Sequence, residues 1–142
     1  MYVGKAERSL KARDLRQHFQ TGFTGSSTVR RTIAALLRDA HPFRGVPRNR
    51  QKPKKSSHFG LEPEDDQALT AWMSEHLELA FWQQPIDCVV LRKVEVNVIG
   101  HFVPPMNINN NLTSPWRGML LKARGLMADD ARKWALARGF KI

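Results

Sequence analysis

The clearest periodicity in the chain lies in "EPEDDQALTAWMSEHL", where Leu69, Trp72, Met73, His76 and Leu77 fall on one helical stripe. Pro63 suits the first turn of that helix, and Glu64, Asp65 and Asp66 suit its positive N-terminus. The stripe reads as core, with His76 at its boundary. A second helix is predicted by "STVRRTIAALLRDA". Val29, Ile33, Leu36 and Leu37 keep helical spacing, and Ser27 is a candidate N-cap. Arg30 and Arg31 sit in its first turn, where cations oppose the helix dipole.

Other segments are less one-sided. Residues 2–5 read as a short strand, and residues 9–20 as a helix with Ala12, Leu15 and Phe19 on its apolar face. "TGFTGSS" at 21–27 is a turn cluster. "LELAFW" at 77–82 reads as a strand. In "IDCVVLRKVEVNVIGHF", Val94, Val96 and Val98 alternate with Glu95 and Asn97, which favours a strand that puts Glu95 in water. The same residues also fit a helical face through Cys88, Leu91, Glu95, Val98, Ile99 and Phe102. A helix would set a carboxylate in an apolar stripe, where it needs a partner, a cation or a proton. Residues 103–111, "VPPMNINNN", form no regular element. Ser114 and Pro115 then open a last helix with Trp116, Met119, Leu120, Ala123, Met127 and Trp134 on its apolar side, and Gly125 is a possible break.

With 142 residues the chain is long enough for one domain with a real core. No apolar run is long enough to span a membrane. Glu7 and Asp14 argue against reading the Arg-rich start as a transit peptide. Cys88 is the single cysteine, so neither an intrachain disulfide nor a cysteine metal site is expected, and a cytoplasmic location fits. Charge changes the picture more. Residues 1–60 carry 14 Lys/Arg against 3 Asp/Glu, whereas residues 61–142 carry 9 against 10. A basic half beside a neutral half is the footprint of a polyanion binder. The basic stretch at 41–60 holds six Lys/Arg, three Pro and no acid. Ordered, it would track a phosphate backbone; disordered, it would be a salt-sensitive tether. Lys5, Arg30, Arg31, Lys52, Lys54 and Lys55 are the candidate nucleic-acid contacts.

No P-loop, GxGxxG or HExxH is present. Two polar groups remain: Tyr2, Lys5, Arg13 and His18 near the start, and Glu95 with Asn107 later. Phosphodiester cleavage needs a carboxylate-held metal, a base and a fixed cation. Glu95, Tyr2 or His18, and Arg13 are candidates for those tasks.

"YVGKAERSLKARDLRQHF" resembles the second signature and following helix of the GIY-YIG nucleases, and "EVNVIGHFVPPMN" resembles their later Glu-to-Asn block. The inserted helices "TGSSTVRRTIAALLRD" and "LTAWMSEHLELAFW" resemble a bacterial branch of that family. The resemblance covers most of residues 2–112. It implies an α/β fold with a small, mostly antiparallel sheet flanked by helices. It implies a nuclease-like domain at 1–112, with the basic insertion at 41–60 and a helical extension at 113–142. It implies that Tyr2 belongs to the catalytic surface, that Gly4 allows close approach, that Arg13 stabilises phosphate charge and that His18 is the helix histidine. It further implies that Glu95 holds one Mg²⁺ or Mn²⁺, that Asn107 braces the site, and that residues 86–101 are a helix. The expected activity is endonucleolytic cleavage of DNA. The alternative is a catalytically impaired nucleic-acid-binding protein on the same scaffold, and a third class is a helical interaction protein.

Two departures from the family pattern accompany the resemblance. Arg13 and His18 are five apart, which turns about 140° on an α-helix. The first signature of the family, a strand bearing a further tyrosine, has no counterpart before Tyr2. We expect a start upstream of Met1, a relic of the catalytic unit, or a strand supplied by a partner chain or another segment.

Overall fold

The computed structural model describes residues 1–6, 9, 17–53, 58–82 and 90–141. Among these residues lie four helices, α1 (Thr28–Leu36), α2 (Pro63–His76), α3 (Leu91–Phe102) and α4 (Arg117–Leu136), and a two-stranded sheet of β1 (Val46–Pro47) and β2 (Phe59–Gly60). The strands run antiparallel, with Val46 opposite Gly60 and Pro47 opposite Phe59. The α/β character and the antiparallel sheet follow the expectation from the sequence.

Helix α1 is central. Ser27 Oγ accepts the Arg30 N–H at 3.2 Å, which gives one orphan donor of the first turn a partner. Val29, Ile33, Ala34 and Ala35 turn inward and join Phe43, Phe59, Leu61, Leu69, Met73, Met127 and Ala131 in one apolar core. Helix α4 packs against both α1 and β1. Arg38 forks onto Asp130 of α4, with Nε at 3.1 Å from one carboxylate oxygen and a terminal nitrogen at 3.3 Å from the other. Gly45 leads into β1 because a Cβ there would lie 2.0 Å from the Met127 carbonyl oxygen. Only a residue without a side chain lets the strand approach α4 so closely.

The first turn of α1 holds two buried arginines. Arg30 is fully buried and ion-paired to Asp66 in the first turn of α2. Its other donors reach Thr24 Oγ1 at 3.0 Å, the His18 carbonyl at 3.0 Å, the Asp66 carbonyl at 2.9 Å and Thr70 Oγ1 at 2.9 Å. Asp66 also accepts from the Gly22 N–H at 2.9 Å and from Thr24 Oγ1. Arg30 was expected to contact nucleic acid. Its guanidinium is spent inside the protein and has no face left for a phosphate.

Several expectations are corrected. Residues 2–5 form no regular strand, because the backbone of Val3 pairs with a side chain rather than with a neighbouring strand. Residues 77–82 are likewise irregular, and Phe81 is 77% exposed; apolar content alone gave no partner strand among the described residues. The alternating valines of 94–98 lie on α3, so the helical reading holds and the strand reading fails. The basic stretch 41–60 contains both strands and the core residues Phe43, Val46 and Phe59. Helix α4 starts at Arg117, two residues after Pro115, with no side-chain cap. Ser114 Oγ accepts the Trp116 N–H at 3.4 Å instead, and Gly125 leaves the helix unbroken. The helix expected at 9–20 lies largely outside the described residues.

Replacing Asp66 with alanine strands the Arg30 charge in the core. We expect a loss of about 3–5 kcal/mol, measured as a lowered urea midpoint at unchanged slope. A loss below about 1 kcal/mol would mean that the pair does not hold α1 to α2.

Candidate active site

The first residues of the chain are held by the segment that follows α3. Asn107 is buried. Its Oδ1 accepts the Val3 N–H at 2.8 Å, and its Nδ2 donates to the Val3 carbonyl at 2.8 Å. One amide side chain thus serves both backbone groups of Val3, as a neighbouring strand would. The Met106 N–H adds a bond to the Met1 carbonyl at 3.2 Å. Asn107 is itself set by Asn111, whose Nδ2 donates to the carbonyls of Pro104 at 2.8 Å and Asn107 at 3.2 Å. The turn opens at Val103, which takes a left-handed conformation (φ 42°) and stops α3 before Pro104. That conformation is uncommon for a β-branched residue.

Next to Val3, the Tyr2 ring packs against the core and meets the His18 ring edge-on at 6.3 Å between centroids. His18 is buried, and its Nδ1 shares a 2.8 Å hydrogen bond with Ser27 Oγ, the cap of α1. Gln17 and His18 lie in a π-helical turn. Arg13 lies outside the described residues. Lys5 is half-buried on the same segment, Lys52 is exposed, and Lys54 and Lys55 lie outside the described residues.

Glu95 is half-buried on α3. No hydrogen bond, ion pair or ring contact joins it to Tyr2, His18 or Asn107. Its helix is linked to the N-terminal segment through the turn that carries Asn107. Among the described residues no hydrogen bond or ion pair reaches the Glu95 carboxylate, although Arg92 and Lys93 lie on the same helix. A lone carboxylate suits a hard cation that keeps most of its waters, as Mg²⁺ does. Among the described residues no three His, Cys, Asp or Glu side chains come together. The donor set therefore fits a one-carboxylate magnesium site better than a zinc cage.

The surroundings of Tyr2 are strongly cationic. Arg31 of α1 is 5% exposed, with terminal nitrogens donating to the Gly25 carbonyl at 2.7 Å and Thr28 Oγ1 at 3.3 Å. Burial, then Arg124 and Arg48, push its pKa down to about 10, and Tyr2 acts in the opposite sense. Burial also lowers the pKa of Arg124 on α4. His58 is lowered by burial and then by Arg31, Arg48 and Arg124. The sequence reading singled out Arg31 and missed the other three. A signal for Arg124 was present: Leu120, Leu121, Met127 and Ala128 occupy the positions three and four residues away, which sets a cation beside an apolar stripe.

A family model described as the GIY-YIG catalytic domain matches residues 1–125. No curated protein and no solved structure gives a match.

Replacing Asn107 with alanine leaves both Val3 backbone groups without that partner. We expect a loss of about 1–3 kcal/mol and faster hydrogen exchange at the Val3 amide; unchanged exchange there would refute the tie. For pH, His58 resists protonation more in the folded chain than in the unfolded one. The unfolded state then binds more protons below its histidine pKa, so stability falls as pH drops from about 6.5. His58→Gln should flatten this part of the pH profile of Tm, and an unaltered profile would count against the cationic surroundings of His58.

Proposed function

The chain belongs to the GIY-YIG catalytic-domain family, and from that premise we propose that it is a metal-dependent endonuclease hydrolysing phosphodiester bonds in DNA. The observation that carries this reading is the meeting of Tyr2 and His18 beside a backbone that Asn107 grips from the far end of the matched region. Those are the residue types the family uses, brought together from three separate segments.

The division of labour follows from the chemistry of each side chain. Tyr2 is the single tyrosine of the chain, and its hydroxyl serves the catalytic surface as a proton carrier or hydrogen-bond donor toward the attacking water. His18, oriented through Nδ1 by Ser27, is restricted to one ring orientation, which fixes where its other nitrogen points. Arg13 supplies a planar cation for the charge that builds on the phosphate oxygens. Glu95 holds Mg²⁺ or Mn²⁺. Such an ion, when bound, withdraws charge from the phosphate and leaving oxygen. Asn107 positions the Tyr2–Val3 backbone and touches no reacting atom. Lys5, Lys52, Lys54 and Lys55 extend a basic surface for the backbone of the nucleic acid.

The test is nicking of supercoiled plasmid in Mg²⁺ or Mn²⁺. Metal-dependent nicking is expected, with a rate loss on the order of a hundredfold or more in Glu95→Ala. Metal-independent nicking, or nicking unaffected by Glu95→Ala, would remove Glu95 from the role of ligand. DNA binding without nicking would instead favour the impaired binding protein on the same scaffold.

A further inference from the structure

We propose that Arg31, Arg48, His58 and Arg124 form one anion site beside Tyr2, which grips a phosphodiester of the nucleic-acid backbone next to the bond being cut. The inference rests on the nuclease reading for the identity of the ligand, and on the structure for the site.

The four residues arrive from separated parts of the chain. Arg31 comes from the first turn of α1, Arg48 from the residue after β1, His58 from the residue before β2, and Arg124 from the second turn of α4. Gly25 joins two of them. Its carbonyl accepts from Arg31 at 2.7 Å, and a Cβ on it would lie 2.7 Å from Cγ of Arg48. The Arg48 side chain therefore lies across the face that glycine leaves open. Tyr2 lies within electrostatic range of both Arg31 and Arg124, which sets the cluster against the proposed catalytic segment.

Among the described residues the cluster has no counter-charge. Three other arginines are answered by carboxylates: Arg30 by Asp66, Arg38 by Asp130 and Arg50 by Glu62. Among the described residues no carboxylate pairs with Arg31, Arg48 or Arg124. Arg31 is buried, yet its Nε has no hydrogen-bond partner. Gathering like charges around a buried guanidinium is unfavourable without an anion. Each cation there lowers the proton affinity of its neighbours, as Arg31 and His58 both register. A phosphate reverses each of those penalties. It presents several acceptor oxygens to planar donors, and two of the arginines offer forked geometry at partly open positions.

The experiment uses the whole chain without metal, so turnover plays no part. Affinity for a short fluorescein-labelled DNA duplex is measured by anisotropy across about 50–200 mM salt. Arg124→Gln is compared with wild type and with Arg132→Gln, an exposed arginine paired to Asp129. Arg124→Gln should weaken binding about tenfold and flatten the log–log salt slope by about one, with Arg132→Gln close to wild type. Without DNA, Arg124→Gln should also melt about 2–4 °C higher, because a self-repelling cation is gone. A purely structural arginine would give the opposite shift and leave the salt slope unchanged; an unchanged slope overturns the proposal. Arg48→Gln, at an exposed position, repeats the slope test should Arg124→Gln fail to fold. Duplexes with a 5′-hydroxyl and a 5′-phosphate should bind equally, and dependence on the 5′-phosphate would overturn the assignment to an internal phosphodiester. Absence of nicking by the wild-type chain, with the slope effect intact, would sink the nuclease reading and leave this site standing.

Discussion

The Arg30–Asp66 pair is the constraint around which the other parts are arranged. A guanidinium with no exposure is tolerable only if its charge and its donors are all answered. Asp66, Thr24, Thr70 and the His18 carbonyl answer them together. In doing so they fix the start of α1 against the start of α2 and hold the 18–24 segment between them. The histidine proposed for catalysis is therefore held from two sides, by its carbonyl on Arg30 and by its ring on Ser27. Ser27 in turn caps the helix that carries Arg30. Fold stability and the orientation of His18 rest on the same few bonds.

Arg30 and Arg31 are adjacent and chemically identical, yet their environments are opposite. One step along a helix rotates a side chain by about 100°. That rotation sends Arg30 into the carboxylate of α2 and Arg31 toward Gly25, Tyr2 and a group of cations. A single helical turn thus delivers a neutralised charge that holds the fold and an unneutralised one that faces the site. The "TGSS" turn supports both: Ser27 caps the helix, and Gly25 leaves room for Arg48 while binding Arg31. In this reading the glycine and serine are set by charge placement as much as by chain reversal.

Local signals carried much of the fold. Ser27 before an apolar helical stripe marked α1, and Pro63 followed by three acids marked α2. Those signals act through neighbouring residues, so a sequence displays them. Pairing over distance was not legible. The strand expected at residues 2–5 has a side-chain amide from residue 107 as its backbone partner, and no periodicity encodes that. The apolar 77–82 stretch read as a strand because composition says nothing about whether a partner exists. Glu95 was ambiguous by pattern, since alternate valines satisfy both periods; the family resemblance, not the pattern, favoured the helix. The arginines were the hardest. Burial of Arg30 depends on Asp66, thirty-six residues away, and composition alone made it look like a surface contact.

The basic half of the chain therefore divides into charge that is internally balanced and charge that is not. Arg30 and Arg38 are absorbed by acids of the second half, Asp66 and Asp130, and Arg50 by Glu62. These pairs lower the effective positive charge of residues 1–60 without weakening the fold. Among the described cations left over, Arg31 lies within electrostatic range of Tyr2. A concentrated field in a partly dry setting acts on an anion more strongly than the same charges in open water. Glu95, on a helix tied to the Tyr2 segment through Asn107 and Met106, is a half-buried acid outside the balanced pairs among the described residues. An acid and cations that find no opposite charge among the described residues are hard to explain by stability, since each would be relieved by pairing. A polyanion with its counter-cation relieves both at once, with the phosphates taking the arginines and the cation taking the carboxylate.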